Sequence, residues 1–323
     1  MRAVVHRRYG RPMEALEVAE VDRPEPSDDQ VLVRVEASSV NPAEWYAVTG
    51  PYFARPSYGW LRPKRPLIGG DLAGTIEAVG KNVSGLQPGD EVFGTSGASW
   101  AQYAPARGIR LARKPTNVSF ADAAAAPVAA ITALQALRDH GNVERGQRVL
   151  INGASGGVGT YAVQLAKHFG AEVGAVCSPR NVERAEELGA QRVTDYTRDD
   201  FTRSSERYDL LLDIAGRTPL SRMRRVLAPG ATVVLVGGKM TFRGLGPLPH
   251  TAATIMAGKL RRQKVKVFIA KINDADLGFL AGLLANGELR SVIDREYPLE
   301  ETPHALAYLG EGHARGKIVI SVP

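Results

Sequence analysis

Hydrophobic and polar residues alternate in the first part of the chain and follow a different pattern in the middle. The stretch Val31-Leu-Val-Arg-Val-Glu36 is typical of the short strands of a β-rich domain, and glycine and proline punctuate its surroundings. From about Gln147, short runs of Val, Leu and Ile alternate with segments of helical period. This second pattern predicts repeated βαβ units around a parallel sheet.

The clearest βαβ unit starts at the predicted strand Arg148-Val-Leu-Ile-Asn152 and passes through a glycine-rich turn into a helix. Four apolar residues of that helix recur at i, i+3, i+4 and i+7, namely Ala162, Leu165, Ala166 and Phe169. Further strands are predicted at 172–176, 192–195, 208–214 and 231–237. The repetition predicts a doubly wound sheet.

The C-terminal part returns to the first pattern. Residues 274–284 are predicted to be helical and 296–299 and 317–322 to form strands, and the simplest packing returns this tail to the first domain. At 323 residues the chain exceeds the usual size of a single core. We predict an α/β protein with a β-rich domain (residues 1–122 and 268–323) and a doubly wound Rossmann domain (residues 123–267).

The charge balance favours anionic ligands, since 41 Lys and Arg against 34 Asp and Glu give a net charge of +7. The most basic segments, 259–266 and 222–225, are more typical of solvated helix faces than of nucleic-acid contacts. No apolar run is long enough to cross a bilayer, and the N-terminus does not resemble a secretory signal. We expect a cytoplasmic protein with no membrane or nucleic-acid partner.

The turn Gly153-Ala-Ser-Gly-Gly-Val-Gly159 lies where a phosphate-binding loop would be, after a strand and before a helix. Small residues let the backbone approach a pyrophosphate, whose charge then faces free N–H groups and the positive end of the helix dipole. Alanine replaces the first glycine of the standard G-x-G-x-x-G pattern. We predict dinucleotide binding by Ala154, Ser155, Gly156, Gly157, Val158 and Gly159.

The end of the second Rossmann strand indicates which dinucleotide binds. An NAD site usually places an acidic residue there, on the ribose 2′-hydroxyl. Here the chain reads Val176-Cys-Ser-Pro-Arg180, so Ser178 and Arg180 are available for a 2′-phosphate. This favours NADPH over NADH, although Arg180 would also suit a solvated helix start.

The ligands for metal-dependent alcohol oxidation are not evident. Cys177 is the only cysteine, the six histidines show no His-x-x-x-His spacing, and no Tyr-x-x-x-Lys pair is present. Metal-free hydride transfer therefore remains. The alternatives are an NAD(P)-dependent alcohol dehydrogenase or carbonyl reductase, and a non-catalytic NADPH-binding regulatory or RNA-binding protein.

Four segments then make the chain resemble a known family. Ser38-Ser-Val-Asn-Pro42, residues 69–80, Pro88-Gly-Asp-Glu-Val-Phe-Gly94 and the glycine turn follow the order found in the zinc-independent quinone oxidoreductase (zeta-crystallin-like) and enone reductase branch of the medium-chain dehydrogenase/reductase superfamily. Zinc-containing relatives carry Gly-His-Glu and a ligand cysteine, where this chain has Gly70-Asp71 and the neighbourhood of Val40-Asn41.

The resemblance implies a GroES-like catalytic domain joined to a Rossmann domain, with nicotinamide in the cleft and often a homodimer formed through the Rossmann sheets. It also implies that Asn41 lies near the nicotinamide ribose, Tyr196 near the adenosine phosphate and Gly237 near the nicotinamide. The implied activity is hydride transfer from NADPH to a quinone or an α,β-unsaturated carbonyl compound.

The aromatic residues after Asn41 are candidates for a substrate wall. Trp45, Tyr46, Tyr52 and Phe53 would suit a flat conjugated acceptor, and they would suit a hydrophobic core equally well. If Tyr46 or Tyr52 points inward, its hydroxyl is placed to donate a hydrogen bond to the substrate oxygen as charge builds there. We therefore predict Asn41, Tyr46 and Tyr52 as catalytic residues.

Overall fold

The computed structural model describes residues 1–238 and 244–323. These residues form two units, of which the first contains Met1–Ile131 and Lys271–Pro323 and the second contains most of the chain between them. The boundaries after residues 122 and 267 stay predictions. No helix in either described stretch is long and apolar enough to span a membrane.

The secondary structure is as follows. The strands are β1 Arg2–His6, β2 Leu16–Glu20, β3 Gln30–Val40, β4 Asp71–Val79, β5 Glu91–Thr95, β6 Tyr103–Arg107, β7 Leu111–Arg113, β8 Arg148–Asn152, β9 Glu172–Cys177, β10 Arg192–Asp195, β11 Tyr208–Asp213, β12 Leu227–Leu235, β13 Lys264–Val267, β14 Ile293–Pro298 and β15 Lys317–Ser321. The helices are α1 Pro12–Ala15, α2 Pro42–Thr49, α3 Arg55–Tyr58, α4 Phe120–Ala125, α5 Pro127–Gln135, α6 Gly157–His168, α7 Val182–Leu188, α8 Leu220–Met223, α9 Leu248–Leu260, α10 Asp274–Ala285 and α11 Thr302–Glu311.

The first unit is built on a sheet with the strand order β14-β15-β3-β4-β5-β7, in which β6 also pairs with β3. All of its pairs are antiparallel except β14 with β15. The C-terminal strand β15 pairs with β3 so that Ile318 lies opposite Val40. The tail thus returns to the first unit, as the sequence predicts, and brings Lys317 next to the start of α2.

The second unit contains a six-stranded parallel sheet with the order β10-β9-β8-β11-β12-β13. Numbered from β8, this is the order 3-2-1-4-5-6 of a Rossmann sheet, whose ligand crevice lies at the carboxyl ends of the first and fourth strands. Successive side chains of β8 point to opposite faces of the sheet, and Leu150 lies on a face where it packs in a buried cluster with Leu211, Val233 and Met223. The predicted doubly wound fold is confirmed.

Helix α11 packs on α2 in the first unit, and a glycine allows the close approach. A β-carbon on Gly310 would overlap the ring of Trp45, which is itself buried. Trp45 is therefore a core residue, and it does not join a substrate wall.

Gly310→Ala should destabilise the protein by about 1–3 kcal/mol, because the added methyl group overpacks the α2–α11 contact. Gly278→Ala is the matched control in α10, since its β-carbon would meet no atom within 4 Å. The control should stabilise by about 0.5–1 kcal/mol through helix propensity. Unfolding by a chemical denaturant gives the change in the free energy of unfolding for each variant. Equal changes in the two variants would contradict this account of the packing.

Candidate active site

The glycine turn after β8 is held by tight backbone packing. Gly153 has a φ of +97°, and the N–H groups of Gly153 and Ala154 both donate to the Val176 carbonyl at 3.1 Å. A β-carbon on Gly159 would overlap the Gly153 carbonyl, so α6 can approach the turn only with glycine there. This explains the third glycine of the pattern.

The outer side of the same turn leaves space for a ligand. A β-carbon on Gly156 would meet only the Gly153 carbonyl oxygen, at 3.9 Å. Gly156 caps α6, whose first-turn N–H groups have no acceptor within the helix and carry the positive end of its dipole. Ser155, Gly157 and Val158 are partly exposed here, whereas Ala154 is buried. The cradle fits a pyrophosphate.

The ends of β9 and β10 bring Ser178, Arg180 and Tyr196 to one edge of the sheet. Tyr196 N–H donates to the Cys177 carbonyl at 3.1 Å, and the side chains of Arg180 and Tyr196 are exposed. Ser178 Oγ accepts a hydrogen bond from Asn181 Nδ2 at 2.8 Å, which leaves the hydroxyl proton of Ser178 available to a ligand. Asn181 Oδ1 is buried without a partner among the described residues.

Cys177 lies beside this edge but is chemically inert. The thiol is buried in β9, and burial raises its pKa to about 11. A buried thiol that stays protonated near neutral pH is a poor nucleophile.

The carboxyl end of β11 holds a group that sequence reasoning missed. Asp213 is fully buried, and its Oδ1 accepts hydrogen bonds from Asn152 Nδ2 at 2.8 Å and from Gly216 N–H at 3.0 Å. Its Oδ2 lies 3.5 Å from Nε2 of His250, and this interaction raises the pKa of His250. Gly237 N–H lies 3.4 Å from the Asp213 carbonyl. The Asp213 carboxylate thus connects the end of β8 to the loop after β11 through hydrogen bonds.

In the first unit, Asn41 is buried at the start of α2. Its N–H donates to Glu44 Oε2 at 2.7 Å, the returning half of a capping box. Its side chain accepts a hydrogen bond from Lys317 Nζ at 2.5 Å and donates one to Asp71 Oδ2 at 2.9 Å. The carboxamide is therefore fixed in orientation by two charged neighbours.

Asp71 and Lys317 form a buried ion pair at the centre of this group. Their charged atoms are 3.1 Å apart, and both side chains are almost completely buried. The Asp71 carboxylate also accepts hydrogen bonds from Ser39 Oγ at 2.5 Å and from Val128 N–H at 2.9 Å. Both members of the pair thus have hydrogen-bond partners beyond each other, which buried charges require. We call Asn41, Glu44, Asp71 and Lys317 the buried polar cluster.

Glu44 borders a cavity of about 440 Å³ that His6 and Tyr58 also line. Burial and, second, the Asp71 carboxylate raise the pKa of Glu44 to about 7. Burial lowers the pKa of His6 to about 4, and its Nε2 has no partner in the described part of the chain. The spacing Asn41-x-x-Glu44 is the capping-box signal that would have revealed Glu44 from the sequence.

The two predicted catalytic tyrosines differ in their surroundings. Tyr46 is half-buried, and its ring meets Phe53 edge to face with the ring centres 4.9 Å apart. Burial raises the pKa of Tyr46, so its hydroxyl is protonated at neutral pH. Tyr52 is 63% exposed, with the Arg55 guanidinium 5.1 Å from its ring centre.

Known families match both parts of the chain. The alcohol dehydrogenase GroES-like domain matches residues 27–115, and the zinc-binding dehydrogenase family matches residues 188–320. The chloroplast envelope quinone oxidoreductase homolog of Arabidopsis thaliana is 33% identical over 99% of this chain and 98% of its own length. The chain belongs to the quinone and enone oxidoreductase branch of the medium-chain dehydrogenase/reductase family.

Two further relatives support this membership. The chloroplastic NADPH-dependent alkenal/one oxidoreductase of Arabidopsis thaliana is 30% identical over 92% of this chain and 73% of its own length. The structure of the quinone oxidoreductase from Coxiella burnetii superposes with a TM-score of 0.87 at 28% identity, covering 100% of this chain and 99% of that one. The predicted family, fold class and oxidoreductase activity are confirmed.

Glu44 should make this medium-chain reductase less stable as pH rises from about 4.5 to about 7. The folded protein binds the Glu44 proton more tightly than the unfolded chain, so deprotonation favours unfolding, by about 3 kcal/mol across this window. Glu44→Gln keeps a side chain suited to the capping box and should remove this loss. Unfolding free energies measured at several pH values test the difference between the variant and the unchanged protein.

The contribution of Glu44 must be taken from the difference between variants, because His6 changes the stability of the protein with pH in the opposite direction. Its lowered pKa gives stability that is present above pH 6.5 and is lost as pH falls toward about 4. Glu25→Gln, at an exposed carboxyl, is the matched control and should leave the pH profile unchanged. A Glu44→Gln profile parallel to that of the unchanged protein would show that the buried Glu44 carboxyl does not titrate in this window.

Proposed function

We propose that this protein transfers a hydride from NADPH to a quinone or an α,β-unsaturated carbonyl compound without a metal ion. The observation that carries the proposal is the dinucleotide cradle together with the segment 178–180 after β9, which offers Ser178 and Arg180 and contains no carboxylate for a ribose hydroxyl. Relatives named as quinone and alkenal/one oxidoreductases support the acceptor class.

The 2′-phosphate of NADPH suits the edge formed by β9 and β10. The Ser178 hydroxyl has a proton to donate, and the exposed Arg180 guanidinium offers a planar fork to phosphate oxygens. Tyr196 follows β10 at the same edge and would border the adenosine phosphate, as the family resemblance implies. Asp213 and Gly237 would lie at the nicotinamide end of the sheet.

The residues where zinc-containing relatives bind their metal do not fit zinc in this chain. Asn41 stands near the place of the ligand cysteine, and a side chain at Gly70, the place of the ligand histidine, would overlap Glu44 Oε1. The Lys317 ammonium lies within hydrogen-bond distance of both Asn41 and Asp71, where its charge would repel a cation. Elsewhere in the described residues, no group of three His, Cys, Asp or Glu side chains is arranged to hold a metal.

When bound, the dinucleotide supplies the hydride; the chain's residues orient the reactants and stabilise charge on the acceptor oxygen. Asn41 is held by Lys317 and Asp71 and keeps one amide N–H for a ribose hydroxyl. Tyr46 is the better candidate for the hydroxyl donor, because its ring is half-buried and packs against Phe53. Tyr52 would act from a solvent-exposed position.

A homodimer and a cytoplasmic location are further parts of the proposal. Strand β13 forms an edge of the Rossmann sheet in the described chain, and Val267 and Ile269 near that edge are exposed. An apolar open edge suits association with a second sheet.

The test is NADPH and NADH consumption by the purified protein with an ortho-quinone, a para-quinone, a 2-enal, a 2-enone and a simple ketone. We expect turnover of quinones or enones with NADPH preferred and no effect of a zinc chelator. Turnover of the ketone alone would favour a carbonyl reductase. No turnover despite tight NADPH binding would favour a regulatory protein.

Gly156→Ala tests whether the dinucleotide binds at the glycine turn. Its methyl group would face open space in the protein, so folding should be unchanged, but the group would project toward the expected pyrophosphate. We expect NADPH binding to weaken about tenfold or more, as for loss of close backbone contacts to a charged ligand. Unchanged NADPH affinity would place the dinucleotide elsewhere.

Arg180→Ala should raise the KM for NADPH about tenfold or more, because a charge-assisted hydrogen bond to phosphate is lost. The kinetic constants for NADH, which lacks that phosphate, should change less than about twofold. Arg203→Ala removes an exposed arginine elsewhere in the same unit and should affect neither cofactor. Parallel losses with NADPH and NADH would show that Arg180 does not recognise the 2′-phosphate.

A further inference from the structure

A second pocket, of about 580 Å³, lies in the first unit and uses none of the residues of the glycine turn. It is bounded by the end of β5, by β6 and by the segment before β4. We call it the arginine pocket, because three arginines line it together with three neutral polar residues: Arg65, Arg107, Arg110, Gln30, Thr95 and Ser96.

The three guanidinium groups of the pocket are not neutralised. None of them has a carboxylate partner in the described residues, and no acidic residue lines the pocket. Other arginines of the same unit do pair with carboxylates, including Arg23 with Glu77 and Arg113 with Asp90. Three like charges around one concave space repel each other and raise the local positive potential, which favours an anion.

The neutral polar residues of the pocket add donors. Thr95 is 6% exposed, and its Oγ1 is buried with no hydrogen-bond partner among the described residues. An unpaired buried hydroxyl costs free energy that a ligand oxygen would recover. Gln30 Oε1 already accepts from Ser27 N–H at 3.1 Å and Ser27 Oγ at 2.9 Å, which leaves the Gln30 amide N–H groups to donate.

The walls of the pocket are formed in advance by backbone contacts. Ser96 Oγ donates to the Pro105 carbonyl at 2.8 Å and accepts from Ala98 N–H at 3.2 Å, which fixes the loop after β5. Gly94 lets β5 approach the Arg110 carbonyl so closely that a β-carbon would overlap it. A rigid concave site reduces the ordering cost of binding a small ligand.

We propose that the arginine pocket binds the oxyanion group of a small metabolite, either a phosphate or a carboxylate. Both groups match the forked guanidinium donors and the Thr95 hydroxyl, and the volume suits a ligand of metabolite size. The arginine pocket contains no residue of the dinucleotide cradle, so loss of its ligand leaves the cradle intact.

The test is calorimetric titration of the full protein, saturated with NADPH to fill the cradle, with inorganic pyrophosphate in one arm and citrate in the other. We expect binding of one anion with a Kd below about 1 mM, and the tighter arm identifies the preferred group. Arg107→Ala/Arg110→Ala should weaken this binding about tenfold or more. Arg224→Ala/Arg225→Ala changes the net charge equally at exposed sites of the other unit and should leave binding within about twofold.

Thr95→Val separates recognition from general charge attraction. It keeps the side-chain volume and removes a buried unpaired hydroxyl, so the free energy of unfolding should not fall. Anion affinity should fall about threefold to tenfold. The proposal is overturned if the unchanged protein binds neither anion, if the control double variant loses as much affinity as the pocket variant, or if Thr95→Val binds as before.

Discussion

The buried ion pair between Lys317 and Asp71 is the contact on which the first unit depends. Lys317 begins the last strand and Asp71 begins β4, so the pair joins the C-terminal tail to the centre of the sheet. A buried charge without its partner costs several kcal/mol, which makes the pair a strict condition on how the tail packs. The same two side chains hold the Asn41 carboxamide. The packing of the sheet and the orientation of a predicted site residue are therefore set by one interaction.

In the second unit, the main constraint is how closely the backbone can approach a charged ligand. Gly159 lets α6 press against the turn, and Gly156 leaves the outer face open. Asp213 then fixes the neighbouring loop through Asn152 and the Gly216 N–H group. A cradle that is rigid before binding loses little conformational entropy when the ligand binds. More of the binding free energy is therefore available to orient the ligand.

Sequence patterns anticipated the features that repeat or that combine small residues with a known context. The βαβ period predicted the parallel sheet, and the glycine turn stood out between a strand and a helix. Helix α6 begins at Gly157, earlier than its apolar period, because the first-turn glycines give no periodic signal. Lys317 gave no usable signal, since its partners are far away in the sequence and only the β3–β15 pairing brings them together. His250 was invisible for the same reason, because its contact with Asp213 depends on the course of α9.

Positively charged side chains occur in two distinct environments in this chain. At Lys317 the charge is buried and matched within the protein, and it opposes any cation nearby. At Arg65, Arg107 and Arg110 the charge surrounds an open space and is matched by nothing in the described chain. The first arrangement matches the charge within the protein alone, whereas in the second the charge is matched only when an anion is present. Net charge therefore indicates a preference for anions, and only the local pairing of each cation shows where an anion would be held.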